Sequence, residues 1–313
     1  MPRRRSSRTT GTRSGGRWSS PKRRITKHLV PFFDGRRLAS IDTAAVRKYI
    51  AHRQQQGIVA IKGKRKDERV GDVSNAEVNR ELTLLRRMFS IALKDGLLMH
   101  RPHIPMLAED NTRTGFFEPE QVASVLAHLP AALRPVVAAA ALTGWRTASE
   151  ILPLEWRQVD FAAGEVRLDP YTTKNDEGRV FPMTSALRQL LKARQVEHER
   201  LMRKGQITPL VFFRLVAEGR GGEKKPKPIK RFTKAWRAAC TAAGCPGKIP
   251  HDLRRTAVRN FVRNGIPERV AMEMTGHKTR SVFERYNITS PGDLKDAAKK
   301  LDAAPALPTA RTS

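Results

Sequence analysis

Cysteine is scarce in this chain: Cys240 and Cys245 are the only two among 313 residues. Their spacing, "CTAAGC", is not that of a zinc site, and no second ligand pair accompanies it. They read as ordinary buried or part-exposed thiols in a reducing compartment. Acid is scarce as well. The chain has 30 Asp and Glu against 60 Lys and Arg, a formal charge of +30. That imbalance implies a polyanionic partner, most simply nucleic acid; a ribosomal-type protein or a membrane-surface binder are the plainer alternatives. No apolar run approaches the roughly 20 residues of a membrane span. The basic N-terminus has no signal-peptide hydrophobic stretch behind it, so an intracellular, soluble protein without membrane partners is expected. There is no internal repeat.

What is present suffices for two domains at about 150 residues each. Hydrophobic residues make up 39%, with 12 Phe and 4 Trp. Residues 1–24 carry nine Arg or Lys and no acid among Ser, Gly and Thr, and read as a disordered tail that either touches phosphates or is only solvated. Residues 25–100 read as an all-helical unit whose first helix falls within about 22–33. Asp42 caps a helix with Val46, Tyr49 and Ile50 on one face and Gly57 as its stop. Ser74 and Glu77 open another at capping-box spacing. Its apolar stripe runs Val78, Leu82, Leu85, Phe89, Leu93, with Arg80, Arg86, Arg87 and Lys94 mostly off it. Such a basic face suits a small bundle lying on DNA, or is merely solvated. Residues 101–115, with two prolines and no periodicity, read as a linker. A second unit over 116–303 opens with Pro119 in a helical first turn. At "QVDFAAGEVRLDPYTTKNDEGRVFPM" it switches to the alternation and turns of a three-stranded antiparallel meander. "LVFF" (210–213) reads as a short strand or turn and "GRGGEKKPKPIKR" as a basic loop. Short helices follow, ending with "PGDLKDAAKKLDAA" and a disordered tail at 304–313.

The second unit spaces unusual residues widely. Arg146 follows "LTGW", and Lys174 sits in the meander turn. His251 and Arg254 open a helix three apart, on one face. His277 follows "MTG", and Tyr286 closes "SVFERY". Singly, each is more often a surface or packing residue. Together, in this order over the 141 residues from Arg146 to Tyr286, they resemble the tyrosine recombinase family, also called phage integrases. The family's catalytic domain carries an Arg after a Gly-x turn, a Lys on a β-hairpin, H-x-x-R, a G-H and a Tyr. Here these are "TGWR", "TTKNDEG", "HDLRR", "TGHK" and "ERY". The family's acid usually follows the first Arg by three positions; Glu150, the candidate supporting residue, follows by four.

The resemblance implies a mainly α fold with a small antiparallel β-meander: an N-terminal helical core-binding domain and an α+β catalytic domain clamping duplex DNA. It implies site-specific recombination through a 3′-phosphotyrosyl intermediate, for a phage or other mobile element, by four protomers on two synapsed sites. Accessory DNA-bending proteins, a DNA-associated place in the bacterial cytoplasm, and docking of "PGDLKDAAKKLDAA" onto a neighbouring protomer come with it. The chemistry fits the residue types. Guanidiniums match phosphate oxygens in pairs and keep their charge, so Arg146 and Arg254 are the expected clamp. His251 and His277 can donate to those oxygens or move a proton. Tyr286 is the expected nucleophile and Lys174 the general acid. No metal or other cofactor is expected. Cations at the start of the His251 helix oppose its macrodipole unless an anion is expected there. Arg255, Arg259 and Arg263 recur along that helix and are candidate contacts to flanking phosphates, or a solvated stripe. A type IB topoisomerase and a non-catalytic DNA-binding protein on the same fold remain open readings.

Overall fold

The computed structural model describes residues 19–59, 68–109, 115–170, 177–219, 221–287 and 291–302. Residues 1–18, the meander turn bearing Lys174, and the C-terminal stretch from 303 lie outside the described residues. The chain forms two compact units, Met1–Thr112 and Arg113–Ser313. Among the described residues no helix is long and apolar enough to cross a membrane.

The first unit is helical earlier than its sequence suggests. Helix α1 (Ser19–Arg24) passes through a π turn (Ile25–Leu29) into α2 (Val30–Phe33). Residues 19–24 are thus not tail: the Arg24 guanidinium donates to both Glu77 oxygens, at 2.7 and 3.2 Å. No apolar period marks that stretch, which is why it reads as solvated. Helix α3 (Thr43–Gln56) starts where the Asp42 carboxylate accepts the Ala45 N–H at 2.7 Å, satisfying one of the first-turn donors. The unit is not all helix. Strands β1 (Ile58–Val59) and β2 (Arg69–Gly71) pair antiparallel, too short for alternation to reveal. Helix α4 (Asn75–Lys94) starts at Ser74, whose hydroxyl accepts from the Glu77 N–H. Val46, Tyr49 and Ile50 bury against Val78, Leu82, Leu85 and Phe89. Ala92, three residues after Phe89, continues the buried stripe, while Leu93 is 40% exposed. Inside this core lies an unforeseen charge pair. Glu81 accepts from the Tyr49 hydroxyl at 2.6 Å and from Arg53 Nε and Nη2 at 2.9 and 3.0 Å. The early part of the expected linker packs as well: Ile104 is buried, and the Asn79 amide bonds both the N–H and the C=O of Leu107.

The second unit opens with α5 (Pro119–His128), fixed by a capping box between Glu118 and Gln121, and α6 (Arg134–Thr143). The meander is as the sequence indicates, with β3 (Val159–Asp160), β4 (Glu165–Leu168) and β5 (Arg179–Pro182) in that order. Register places Val166 opposite Phe181 and Leu168 opposite Arg179. After α7 (Ser185–Met202), β6 (Phe213–Ala217) pairs with β7 (Lys224–Pro228). The stretch read as a basic loop therefore contains a strand. Its Lys and Pro content disfavours a central strand, but a two-stranded ribbon has only edges, where both are tolerated. Helices α8 (Thr233–Ala242), α9 (Asp252–Arg263), α10 (Glu268–Thr275), α11 (Arg280–Glu284) and α12 (Pro291–Asp302) complete the unit. Val136, Val137 and Ala140 of α6, Trp145, Phe181, Leu191, Trp236 and Leu253 share one core. Cys240 and Cys245 are buried and unbridged, and burial pushes the Cys240 thiol up to about 12. A smaller cluster, Val258, Ala271 and Phe283, locks α9, α10 and α11 together. Helix α9 carries Arg254, and α10 and α11 end just before His277 and Tyr286.

Candidate active site

Two helices end in the same way and deliver two of the predicted residues. At the end of α6 the Thr143 hydroxyl donates back to the Ala139 carbonyl at 2.8 Å, and Gly144 turns left-handed at φ +67. At the end of α10 Thr275 does the same to Ala271 at 2.6 Å, and Gly276 follows at φ +72. Glycine adopts this conformation without the penalty other residues meet. The close approaches demand it too. A Cβ on Gly144 would lie 3.0 Å from that of Ala257, and one on Gly276 would lie 2.3 Å from the Arg179 guanidinium carbon. Trp145 secures the first turn by donating its indole N–H to the Met274 carbonyl at 3.0 Å. The chain then presents Arg146 beside one turn and His277 beside the other.

Glu150 holds Arg146 in place. It is buried, and accepts the Arg146 backbone N–H at 2.7 Å and Nη1 at 2.6 Å. The fourth position after Arg146 can do this because residues Thr147–Ile151 form a π turn, which is wound wider than an α turn. Arg179 shares the same carboxylate, with Nη2 3.2 Å from Oε1, and donates Nη1 to the Thr275 carbonyl at 2.7 Å.

Helix α9 supplies the centre. Arg254 is 1% exposed. Its Nη1 donates to the Gly144 carbonyl at 2.8 Å, and its Nη2 lies 3.1 Å from His277 Nε2. Thr275 spends its one hydroxyl hydrogen on Ala271, so at 2.7 Å it accepts from His277 Nδ1. His277 is thereby the Nδ1–H tautomer, with an Nε2 lone pair facing Arg254. His251, just before α9, has Nε2 2.8 Å from the Tyr286 hydroxyl. The Tyr286 ring lies 4.7 Å from that of His277, with the Arg254 and Arg255 guanidiniums 5.6 and 5.4 Å from its centroid. His251, Arg254, Arg255 and His277 thus converge on one half-buried tyrosine.

Burial, followed by the field of Arg254, drives both histidines toward the neutral form: His251 falls to about 4 and His277 to about 3. Burial also lowers Arg254. The consequence for stability has a definite sign. Each histidine binds a proton in the unfolded chain near pH 6.5 but not in the folded one until far lower. Stability contributed by the neutral rings is therefore complete above about pH 6.5 and is lost as pH falls toward 4. The slope is at most about 1.4 kcal/mol per pH unit for each ring. Thermal melts of the free protein between pH 7 and 5 should show this fall, and His277→Asn should flatten it. An unchanged slope in that variant would mean that His277 is not held neutral.

Some predicted residues land elsewhere. Arg255 and Arg259 are buried, and bond Asp252 at 2.8 Å and Glu118 at 3.2 Å. Arg263 pairs with Asp293. Of that period of four, Arg255 and Arg259 face the protein, while the Arg263 side chain stays 32% exposed. On α4, Arg80, Arg86, Arg87 and Lys94 are exposed; Arg80 pairs with Glu77 at 2.9 Å, and Arg86 donates to the Ile104 carbonyl at 3.1 Å. Arg179 and Thr275 were not anticipated. The doubled Thr-Gly, before Trp145-Arg146 and before His277, was the signal available.

The family model for the phage integrase family matches residues 116–291. The chain belongs to the phage integrase family. Among curated relatives it is similar to the integrase of Salmonella phage P22, at 25% identity over 226 residues, covering 71% of this chain and 56% of that protein. It is also similar to the virulence plasmid integrase pGP8-D of Chlamydia trachomatis, at 27% over 167 residues, covering 53% and 46%. The chain spans about half the length of the curated relatives it matches. Its fold is that of a Tn1549 transposon integrase solved with a circular intermediate DNA (TM-score 0.62, 13% identical, 92% of this chain and 95% of that one). It is equally that of a lambda integrase dimer on a COC′ core site (TM-score 0.60, 15% identical, 83% and 87%).

Proposed function

We propose that this phage integrase family member is a site-specific DNA recombinase that cleaves and rejoins strands through a 3′-phosphotyrosyl intermediate. The observation that carries the proposal is the Tyr286 hydroxyl 2.8 Å from His251 Nε2, beside the ring of His277 and the guanidinium of Arg254. A neutral imidazole there can accept the hydroxyl proton as the oxygen attacks phosphorus. Arg146 and Arg254 would bind the non-bridging oxygens, where charge gathers in the transition state. Glu150 fixes Arg146. Lys174 would protonate the departing 5′-oxygen. The new tyrosyl ester keeps a diester linkage, so attack by a 5′-hydroxyl reverses the step and rejoins a strand without ATP. The exposed arginines and Lys94 of α4, Arg80, Arg86 and Arg87 among them, would lie on the duplex backbone. Four protomers on two synapsed sites would exchange the strands, with accessory DNA-bending proteins where the sites are far apart.

The direct test is covalent capture. Fragmented DNA spanning both flanks of the chain's own coding element is incubated with the protein, and DNA that stays attached after denaturation is sequenced. Adducts at discrete positions support a recombinase. Adducts scattered over any duplex, with relaxation of supercoils and no joining of two sites, would mark a topoisomerase; no adduct at all would leave only DNA binding. Because cations occupy the place of a metal, adduct formation should proceed at its full rate in EDTA and without nucleotide. Dependence on added magnesium would overturn the mechanism.

A further inference from the structure

We propose that Arg179 is a positioning residue for strand cleavage, holding the Arg146–Glu150 pair and the His277 turn in one geometry and leaving the Arg146 side of the site net positive. The inference rests on the strand-transfer reading above and adds a residue to it.

Arg179 opens β5 and faces inward, with its side chain 5% exposed. A buried guanidinium is costly unless its donors are met, and the partners of Arg179 belong to the two turns that carry the chemistry. One is the Glu150 carboxylate, reached at 3.2 Å from Nη2 and 3.4 Å from Nη1. The other is the Thr275 carbonyl, at 2.7 Å. Gly276 leaves room for it, since any Cβ there would overlap the guanidinium at 2.3 to 2.7 Å. One planar fork therefore joins the residue that anchors Arg146 to the residue that sets the His277 tautomer.

The charge count gives the second half. Glu150 and Arg146 alone would be a neutral pair, with the carboxylate free to draw the guanidinium back from an incoming phosphate. Arg179 engages the same two oxygens, and the trio carries one net positive charge. Lysine in its place would retain that charge but could not span both partners.

The test compares Arg179→Gln and Arg179→Lys with the parent on a DNA site that the parent cleaves. Each is assayed on the ordinary duplex and on one with sulfur replacing the bridging 5′-oxygen of the scissile phosphate. DNA affinity and melting temperature are measured in parallel. Arg179→Gln should form adduct about 10²–10³-fold more slowly, the scale of losing one preorganised electrostatic contact. Duplex binding should stay within a few-fold. Sulfur should not restore the rate, because Arg179 acts through groups aimed at the non-bridging oxygens. Arg179→Lys should recover part of the loss, and it carries the test if the glutamine variant fails to fold. Either of two outcomes overturns the proposal: parental adduct rates in a folded Arg179→Gln chain, or full rescue by sulfur, which would put Arg179 on the leaving-group side. A parent chain that binds DNA but never forms an adduct overturns the strand-transfer reading and this inference with it. A slow glutamine variant beside a fast parent supports both.

Discussion

Tyr286→Phe should bind duplex DNA as tightly as the parent and form no covalent adduct. The substitution removes one oxygen and keeps the ring, so the contacts to His277 at 4.7 Å and to the Arg254 guanidinium at 5.6 Å survive. What is lost is a hydrogen bond to His251, worth about 0.5–1.5 kcal/mol net, too little to unfold a domain. The chemical loss is total, because a phenyl ring has no atom that can bond phosphorus. Denaturing electrophoresis of labelled DNA with each protein is the measurement. An adduct that persists in Tyr286→Phe would assign the nucleophile to another residue.

The second large effect separates the two ends of the reaction. An alkoxide leaves poorly, since its conjugate acid is about as weak as water at 15.7. If Lys174 supplies the leaving-group proton, Lys174→Ala should slow cleavage by about 10²–10⁴-fold. With sulfur as the bridging atom the leaving thiolate, of pKa about 8.5, needs no proton. On that substrate Lys174→Ala should cleave at nearly the parental rate. Arg146→Ala and Arg254→Ala should stay slow, because they act on the non-bridging oxygens. Failure of sulfur to rescue Lys174→Ala would make the lysine a phosphate or base contact, and the proton donor would have to be sought at His251 or His277.

Much of the fold is legible in the sequence because it rests on local chemistry. Asp42, Ser74 and Pro119 mark helix starts through caps and fixed backbone angles, and the meander declares itself by alternation. Where pairing is short, or runs against propensity, the sequence is silent: Ile58–Val59 with Arg69–Gly71, and the Lys- and Pro-rich Lys224–Pro228. The site divides in the same way. Arg146, His251, Arg254, His277 and Tyr286 can be picked out by residue type and order, and the structure gathers them. Arg179 could not, because an arginine beginning a strand is indistinguishable from a surface cation until its partners are known. Arg255 and Arg259 mislead for the converse reason. Their spacing is that of an exposed stripe, yet the two guanidiniums are buried, and Asp252 and Glu118, one three positions away and one 141, accept them. Glu150 lies one position later than the family pattern, and a widened turn brings it back into reach.

The contact between His251 and Tyr286 also has a temporal side. A ribosome makes Arg146 early and Tyr286 after every other member of the cluster. Until α11 is made and Phe283 seats against Val258 and Ala271, the nascent chain holds a cluster of cations with no hydroxyl to receive. Whatever affinity for polyanions the growing chain has, it has before it has the tyrosine. A chain interrupted just upstream of α11 would therefore carry Arg146, His251 and Arg254 and lack the hydroxyl that follows them.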